Sequence, residues 1–558
     1  MAAAALARGA ARRLGLGGAR TRSGLRHGHP AIGDPSPTVP AGDPRSPLPA
    51  GWFVNPVAEG ADPYLVRDGD RYLWCQTEGD RGVAVGVSRS ATRVGDRRVV
   101  WRAPADGPTS AEVWAPELVR LDGRWHIYLA ASDGHDRTHR AYVLVADTDD
   151  PQGAYTLHGP LSTGDAGGPA QWAIDMTVLE VAGRRYALWS GWPDDEHPVQ
   201  HLYAAALASP TELAGPRVMI SAPTDHAWER IHPDDPASAG INEGPQVLRR
   251  GGRTFVLFSA SSALRASYTM GMLELVGDDP LDPAAWRKHP APLLTSTPLA
   301  LGVGHGTVVD SPDGTEWWLA FHRKIAADVS FRRVVHLRPV GWTATGEPVL
   351  DPPIAAGVPL PLPSGTAPRA VSGPVELRYP GPAGARADLE YYGHQQLLAE
   401  DGEGVHLGRV PRRPVNAFRS GEKLVLRDGD HADLRVTASL RVHHRGTAGL
   451  LVRATAPAVG PQAQRGYLVA WRARGSVLTI SRTDGATRTV LGSLRVPRPR
   501  GGVVELEVVA AGDTITARLA GAELAVTDGL YPSGSVGVQV LRGEATLTAL
   551  AVTPLPGG

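Results

Sequence analysis

The chain has 558 residues, more than one hydrophobic core supports, so two or three domains are expected. Its 57 basic residues balance 57 acidic ones, which excludes a global field that would gather nucleic acid or anionic lipid and points to a neutral partner. The single cysteine, Cys75, excludes a disulfide framework and a cysteine-built metal centre; within Tyr72-Leu73-Trp74-Cys75 it reads as a small buried hydrophobe on a strand.

Residues 1–50 are expected to be disordered or targeting-like. The first 33 carry six Arg and no acid, and Arg12-Arg13 resembles a twin-arginine signal. The Leu-Gly-Leu-Gly-Gly-Ala that follows is too short and glycine-rich for the apolar part of such a signal, so the address stays open between cytoplasm and export. No run of eighteen apolar residues occurs, so neither a membrane span nor a membrane partner is expected and the chain reads as soluble.

From 51 to 353 one pattern recurs five times: a polar residue, a short apolar run, a glycine turn and a second run rich in aromatic or aliphatic residues. The leading polar residues are Asp62, Glu117, Asp175, Glu243 and His305, spaced by 55, 58, 68 and 62 residues. The paired runs fall at 64–76, 118–131, 176–190, 245–259 and 306–322, with outer strands at 83–88, 141–146, 202–206 and 270–275. A period near 60 with several strands per unit is the signature of a β-propeller, here of five blades. The first strand of each blade lines the axis, so the five polar residues are expected to meet in one funnel. A lone acid among 57 is ordinarily solvated surface; equivalent placement in five successive repeats is what surface decoration does not explain. One helical turn is expected in Asp279-Pro-Leu-Asp-Pro-Ala-Ala-Trp286.

Residues 354–371 read as a proline-rich, stiff linker. From 372 to 558 apolar and polar residues alternate, as in Asp433-Leu-Arg-Val-Thr-Ala-Ser-Leu-Arg-Val442, with frequent glycine turns: an antiparallel β-sandwich, read as an accessory domain that packs or binds. The fold class is therefore all-β, a five-bladed propeller followed by a sandwich. Fourteen Trp against six Phe suit sugar-ring platforms, although core filling accounts for most of them.

The motifs Gly60-Ala61-Asp62-Pro63-Tyr64, Val113-Trp114-Ala115-Pro116-Glu117, Ala173-Ile174-Asp175-Met176, Asn242-Glu243-Gly244-Pro245 and Gly304-His305-Gly306 resemble, in order and spacing, those of family 43 glycoside hydrolases. The resemblance covers about 51–350, and the C-terminal part is similar, by strand pattern alone, to concanavalin-like jelly rolls. It implies cleavage of arabinose- or xylose-containing glycans with inversion. Asp62 would be the general base, Glu243 the general acid and Asp175 the group that orients the acid and tunes its pKa. Arg333, with Arg332 as rival, would bind a sugar hydroxyl. His305 would be the axial histidine, contacting substrate or standing near a calcium ion in the channel; no cofactor is otherwise implied. Trp114 offers a ring face at the rim or else packs between blades, and Glu117 equally suits a strand cap or a bond to a neighbouring loop.

Such chemistry needs two carboxyl groups in opposite protonation states, roughly 6.5–9.5 Å apart for inversion. Asp62 and Glu243 lie three repeats apart, across the funnel. Like-charge repulsion from Asp175 would hold the proton on Glu243, and Arg333 would keep Asp62 ionised. The expected activity is removal of terminal α-L-arabinofuranosyl residues from plant cell-wall arabinan, arabinoxylan or oligosaccharides, with segments 190–194 and 228–236 walling one end of the funnel. A β-xylosidase or endo-arabinanase on the same scaffold, a retaining fructan-type enzyme and a non-catalytic glycan-binding propeller are the alternatives.

Overall fold

The structure, a computed structural model, describes residues 47–556 except 166–167, 368–370, 382–385, 387, 409–417, 419 and 444. The expectation for 1–50 thus lies almost wholly outside the described residues. No helix among them is long and apolar enough to cross a membrane.

Four antiparallel sheets are built from strands consecutive in the chain. They are Tyr64–Asp68, Arg71–Thr77, Gly82–Ser88 and Asp96–Arg102; Ala111–Leu121, Arg124–Ser132, Arg140–Ala146 and Tyr155–His158; Ala173–Val181, Arg184–Gly191, His201–Ser209 and Glu212–Ser221; and Asn242–Arg250, Arg253–Ala260, Thr269–Leu275 and Trp286–Lys288. The fifth joins Leu301–Asp310, Trp317–Lys324 and Arg333–Trp342 to a strand from the other end of the repeat region, Ala58–Glu59, which pairs with Val334 and Val335. Each innermost strand touches the next and the fifth touches the first, so the sheets close a ring. The propeller has five blades.

Apolar clusters fill the gaps between neighbouring blades. Between the third and fourth, Leu188 and Leu202 meet Val256 and Phe258; between the fifth and first, Trp318 and Val335 meet Trp74 and Leu65. Side chains of this size each contribute about 1.5–3 kcal/mol when fully buried. Cys75 is among them, a buried free thiol.

Two local expectations can be placed. The helical turn expected in 279–286 is a short 3-10 helix, Pro283–Ala285, started by Asp282, whose side chain accepts from the Ala284 N–H. Within the stiff segment 354–371, Pro359–Pro361 pairs with Trp52–Val54, because the two prolines leave a central donor and the carbonyls available for a three-residue ladder.

The C-terminal region forms two antiparallel sheets, of eight and seven strands, enclosing one core. Strand Leu434–Val442 shows why: Leu434, Val436, Ala438, Leu440 and Val442 face inward, and polar residues alternate with them outward. The seven-stranded sheet turns its other face to the propeller, where Tyr392, Val425, Leu451 and Leu468 pack against Val334 of the fifth blade.

Candidate active site

The axial residues are aimed by a repeated backbone device. Asp62, Ala115, Asp175, Gly244 and His305 have φ of 47°, 41°, 56°, 57° and 40°, one left-handed residue in or just before each innermost strand. In four blades this residue sits where the ladder to the second strand slips, between Trp114 and Glu117, Ile174 and Thr177, Glu243 and Gln246, and Gly304 and Gly306. These are β-bulges, which bend the strand and re-aim side chains, at a cost of about 1 kcal/mol or more for each residue that carries a Cβ.

The bulges correct the sequence alignment of the five polar residues. Asp62, Asp175 and His305 are equivalent. Glu243 stands one residue nearer the mouth, level with Trp114, and Glu117 stands two residues deeper, level with Thr177, Gln246 and Thr307. Three layers result. In the deepest, Glu117 is buried, accepts from the Gln246 amide and is pushed well up by burial, with Thr177 and Gln246 opposing.

In the middle layer Asp62 Oδ1 lies 3.1 Å from His322 Nδ1, 3.4 Å from His305 Nδ1 and 3.4 Å from the Arg333 guanidinium. Burial works to raise the Asp62 carboxyl, but Arg333, His305 and His322 outweigh it and hold it well below the usual carboxylate range. Burial and the Arg333 charge push His322 down to about 3, so its ring is neutral. Its Nδ1 edge meets Asp62, whose backbone N–H lies 3.2 Å away, and its Nε2 lies 3.4 Å from the Arg333 guanidinium.

Asp175 Oδ2 accepts from the Gly244 N–H at 2.9 Å, tying it to the residue after Glu243, and lies 3.9 Å from His305 Nδ1. Glu243 receives Tyr268 O–H at 2.7 Å on Oε1 and Gln200 N–H at 3.0 Å on Oε2. Burial is the first cause of its raised pKa, with the Asp62 charge adding and Tyr268, His305 and Gln200 opposing. Asp175 is likewise pushed up to about 7 by burial first, then by the charges of Glu243 and Asp62. Desolvation, rather than like-charge repulsion, therefore leads for both, because the funnel wall is packed on every side.

Two glycines are required here. A Cβ at Gly244 would meet the His305 ring at 3.0 Å in a left-handed conformation, and one at Gly304 would sit 2.3 Å from the Tyr268 ring. Ser259 fixes the bulge at His305 by accepting its N–H at 2.7 Å.

The expected residues distribute as follows. Asp62, Asp175, Glu243, His305 and Arg333 come together. Arg332 pairs with Asp328 instead. Trp114 is half-buried and stacks on His139, with ring centroids 3.9 Å apart. Of the two expected walls, Trp192 is buried against Trp172, and Trp228 packs on Phe258. Glu229 anchors the acid's neighbour, accepting from the Asn242 amide at 2.9 Å. Tyr268, Gln200 and His322 went unnoticed in the sequence. They sit on second and third strands or just before them, where no repeated polar signal marks them.

For a resident cation the donor set does not assemble. Among the described residues no group of three His, Cys, Asp or Glu side chains is arranged to hold a metal, and calcium asks for six to eight oxygens. The His305 Nδ1 edge is directed at Asp62 and Asp175 instead.

One carboxyl held well below the usual range and another pushed above it, at the mouth of a five-bladed propeller, define an acid–base site. The chain belongs to family 43 of the glycosyl hydrolases, whose model matches residues 53–348. An extracellular exo-α-(1→5)-L-arabinofuranosidase of Streptomyces avermitilis is 31% identical over 322 residues, 55% of this chain and 64% of that protein. A protein of the same name from Streptomyces chartreusis is 33% identical over 285 residues, 49% of this chain and 82% of its own length. A solved α-L-arabinofuranosidase from Lactobacillus brevis aligns with 54% of this chain and 97% of its own, at 29% identity and a TM-score of 0.49. The chain thus spans just under two thirds of the Streptomyces avermitilis relative.

Proposed function

We propose that this chain is an inverting glycosidase that removes terminal α-L-arabinofuranosyl residues from arabinan- or arabinoxylan-type glycans and their oligosaccharides. The observation that carries the reading is the opposed direction in which two carboxyls are driven: Arg333, His305 and His322 hold Asp62 well below the usual carboxylate range, and burial pushes Glu243 up. Arabinose as the sugar is supported by the names of the two Streptomyces relatives.

In the proposed reaction Asp62 takes a proton from a water as that water's oxygen bonds to the anomeric carbon. The bond to the departing oxygen breaks, and Glu243 gives that oxygen its proton. Asp175 orients the acid through the Gly244 N–H, and Tyr268 and Gln200 fix the carboxyl plane. His305 bridges Asp62 and Asp175, and Arg333, besides its charge on Asp62, has N–H groups to offer a sugar hydroxyl.

Hydrolysis of 4-nitrophenyl α-L-arabinofuranoside and of the β-D-xyloside tests this. The arabinofuranoside is expected to be the better substrate. A preference for the xyloside would move the specificity to the β-xylosidase alternative, and inertness toward both would favour a glycan-binding propeller.

A further inference from the structure

Glu243 takes its Oε2 hydrogen bond from a side chain that can face two ways. A glutamine amide turned over presents its carbonyl where its NH2 stood and fills nearly the same space. With the NH2 forward, Gln200 occupies that edge of Glu243 as a donor. With the carbonyl forward, the edge would hold the Glu243 proton itself, in an O–H···O bond closed against the protein and withheld from the leaving oxygen. The facing of Gln200 therefore bears on whether Glu243 works as an acid.

Gln200 lies just before the third strand of the third blade, and its Nε2 is shared: 3.0 Å from Glu243 Oε2 and 3.1 Å from Ser190 Oγ. Ser190 is wholly buried on the second strand of that blade and gives its one hydrogen to the Asn242 carbonyl at 2.8 Å. A carbonyl only accepts, so toward Gln200 the hydroxyl has a lone pair alone to offer. The amide group that meets it must be the NH2, and the same nitrogen meets Glu243. Turning the amide over would face its carbonyl with that lone pair, or draw the hydroxyl off Asn242; either way a buried bond is lost.

Asn242 is held in turn. Its backbone N–H donates to the Gln200 carbonyl at 2.9 Å, its Oδ1 accepts from Ser221 Oγ at 2.7 Å, and its Nδ2 donates to Glu229 Oε1 at 2.9 Å. Lys288 Nζ pins that Glu229 oxygen at 2.7 Å and Asp225 at 2.8 Å. The residue before the acid thus fixes, through one hydroxyl, the amide that faces the acid.

We infer that Ser190 is a positioning residue: through Gln200 it keeps an N–H on Glu243 Oε2 and so leaves the acid's proton free for the leaving oxygen. This rests on the proposed hydrolase reading, in which Glu243 is the acid.

Ser190→Ala removes the hydroxyl and little volume, and leaves in place the ionisable groups about Glu243, namely Asp62, Asp175, His305 and Tyr268. On α-(1→5)-arabinobiose kcat is expected to fall about tenfold with KM little changed. The basic limb of the pH profile is expected to rise by at least about half a pH unit, because the acid loses a donor that favours its anion. Gln200→Met removes that donor outright, so adding Ser190→Ala to it should move the limb no further. A shift of equal size in both backgrounds, or none in folded Ser190→Ala, would overturn the inference. Carbon-13 NMR of glutamate-labelled protein, with Glu243→Gln to assign the signal, follows the same carboxyl without turnover. Its titration moving up in Ser190→Ala supports the inference, and an unmoved titration overturns it. That upward movement in a protein whose wild type hydrolyses no arabinofuranoside would sink the hydrolase reading alone.

Discussion

Asp62 and Glu243 are carboxyl groups of one funnel, yet their neighbours drive them in opposite directions. Asp62 has a guanidinium and two imidazoles about it, whereas Glu243 has a phenol and an amide, and burial is the first cause acting on it. Replacing either by its amide, Asp62→Asn or Glu243→Gln, is expected to lower kcat by at least about a hundredfold, as the loss of general base or acid does, and steady-state kinetics checks it. The pH profile should follow the two directions. Its acid limb, from protonating Asp62, is expected below the ordinary aspartate range, and its basic limb, from deprotonating the Glu243–Asp175 pair, above the ordinary glutamate range. In a coupled pair each charge raises the other group, so Asp175→Asn should let Glu243 lose its proton more easily and move the basic limb to lower pH. A basic limb that stays put would show that Asp175 does not feel the acid. At this scale sequence reasoning found the acids because each precedes a short apolar run. It missed Tyr268, Gln200 and His322 because a strand's second neighbour carries no local mark.

The bulge is the element that makes the funnel. In four blades it places a left-handed residue in the innermost strand, shifts everything before it mouthward and sends Thr177, Gln246 and Glu117 to a deeper layer. A period can be read from the sequence, but a one-residue insertion in the ladder cannot, since the spacing is blind to which residue is extra. Glu117 was aligned with Asp62 for that reason. The close approach at Gly304 follows from the same geometry: the Tyr268 ring occupies the space a side chain would need. Gly304→Ala should displace Tyr268 from Glu243 and lower kcat/KM by on the order of a hundredfold, and overpacking should cost about 1–3 kcal/mol of stability. Kinetics with thermal melts reads both; full activity would mean that the phenol moves without consequence.

Over the whole molecule the propeller is closed by Ala58–Glu59 and clasped by the sandwich. Glu59 lies at that junction, 3.4 Å from His394 Nε2 of the sandwich, and is buried. Burial first, then the Glu422 charge, pushes its pKa up to about 8. A carboxyl raised on folding gives its full stability below its unfolded pKa and loses it as pH climbs through the folded value. Stability is therefore expected to fall from the ordinary glutamate range up to about pH 8. Glu59→Gln, which cannot ionise, should melt above the wild type at pH 9 and near or below it at pH 4. A melting gap that does not widen with pH would contradict this. Sequence alternation showed a propeller and a sandwich, but not their clasp. The two-residue closing strand is too short for a pattern, and Val334, Tyr392 and Leu451 meet only once both folds exist.

The central claim is that water, activated by Asp62, attacks from the side opposite the group that Glu243 releases. A proton NMR time course on 4-nitrophenyl α-L-arabinofuranoside tests it most directly. The account expects β-L-arabinofuranose to appear first and the α anomer only later, by mutarotation; α-L-arabinofuranose as the first product would contradict it.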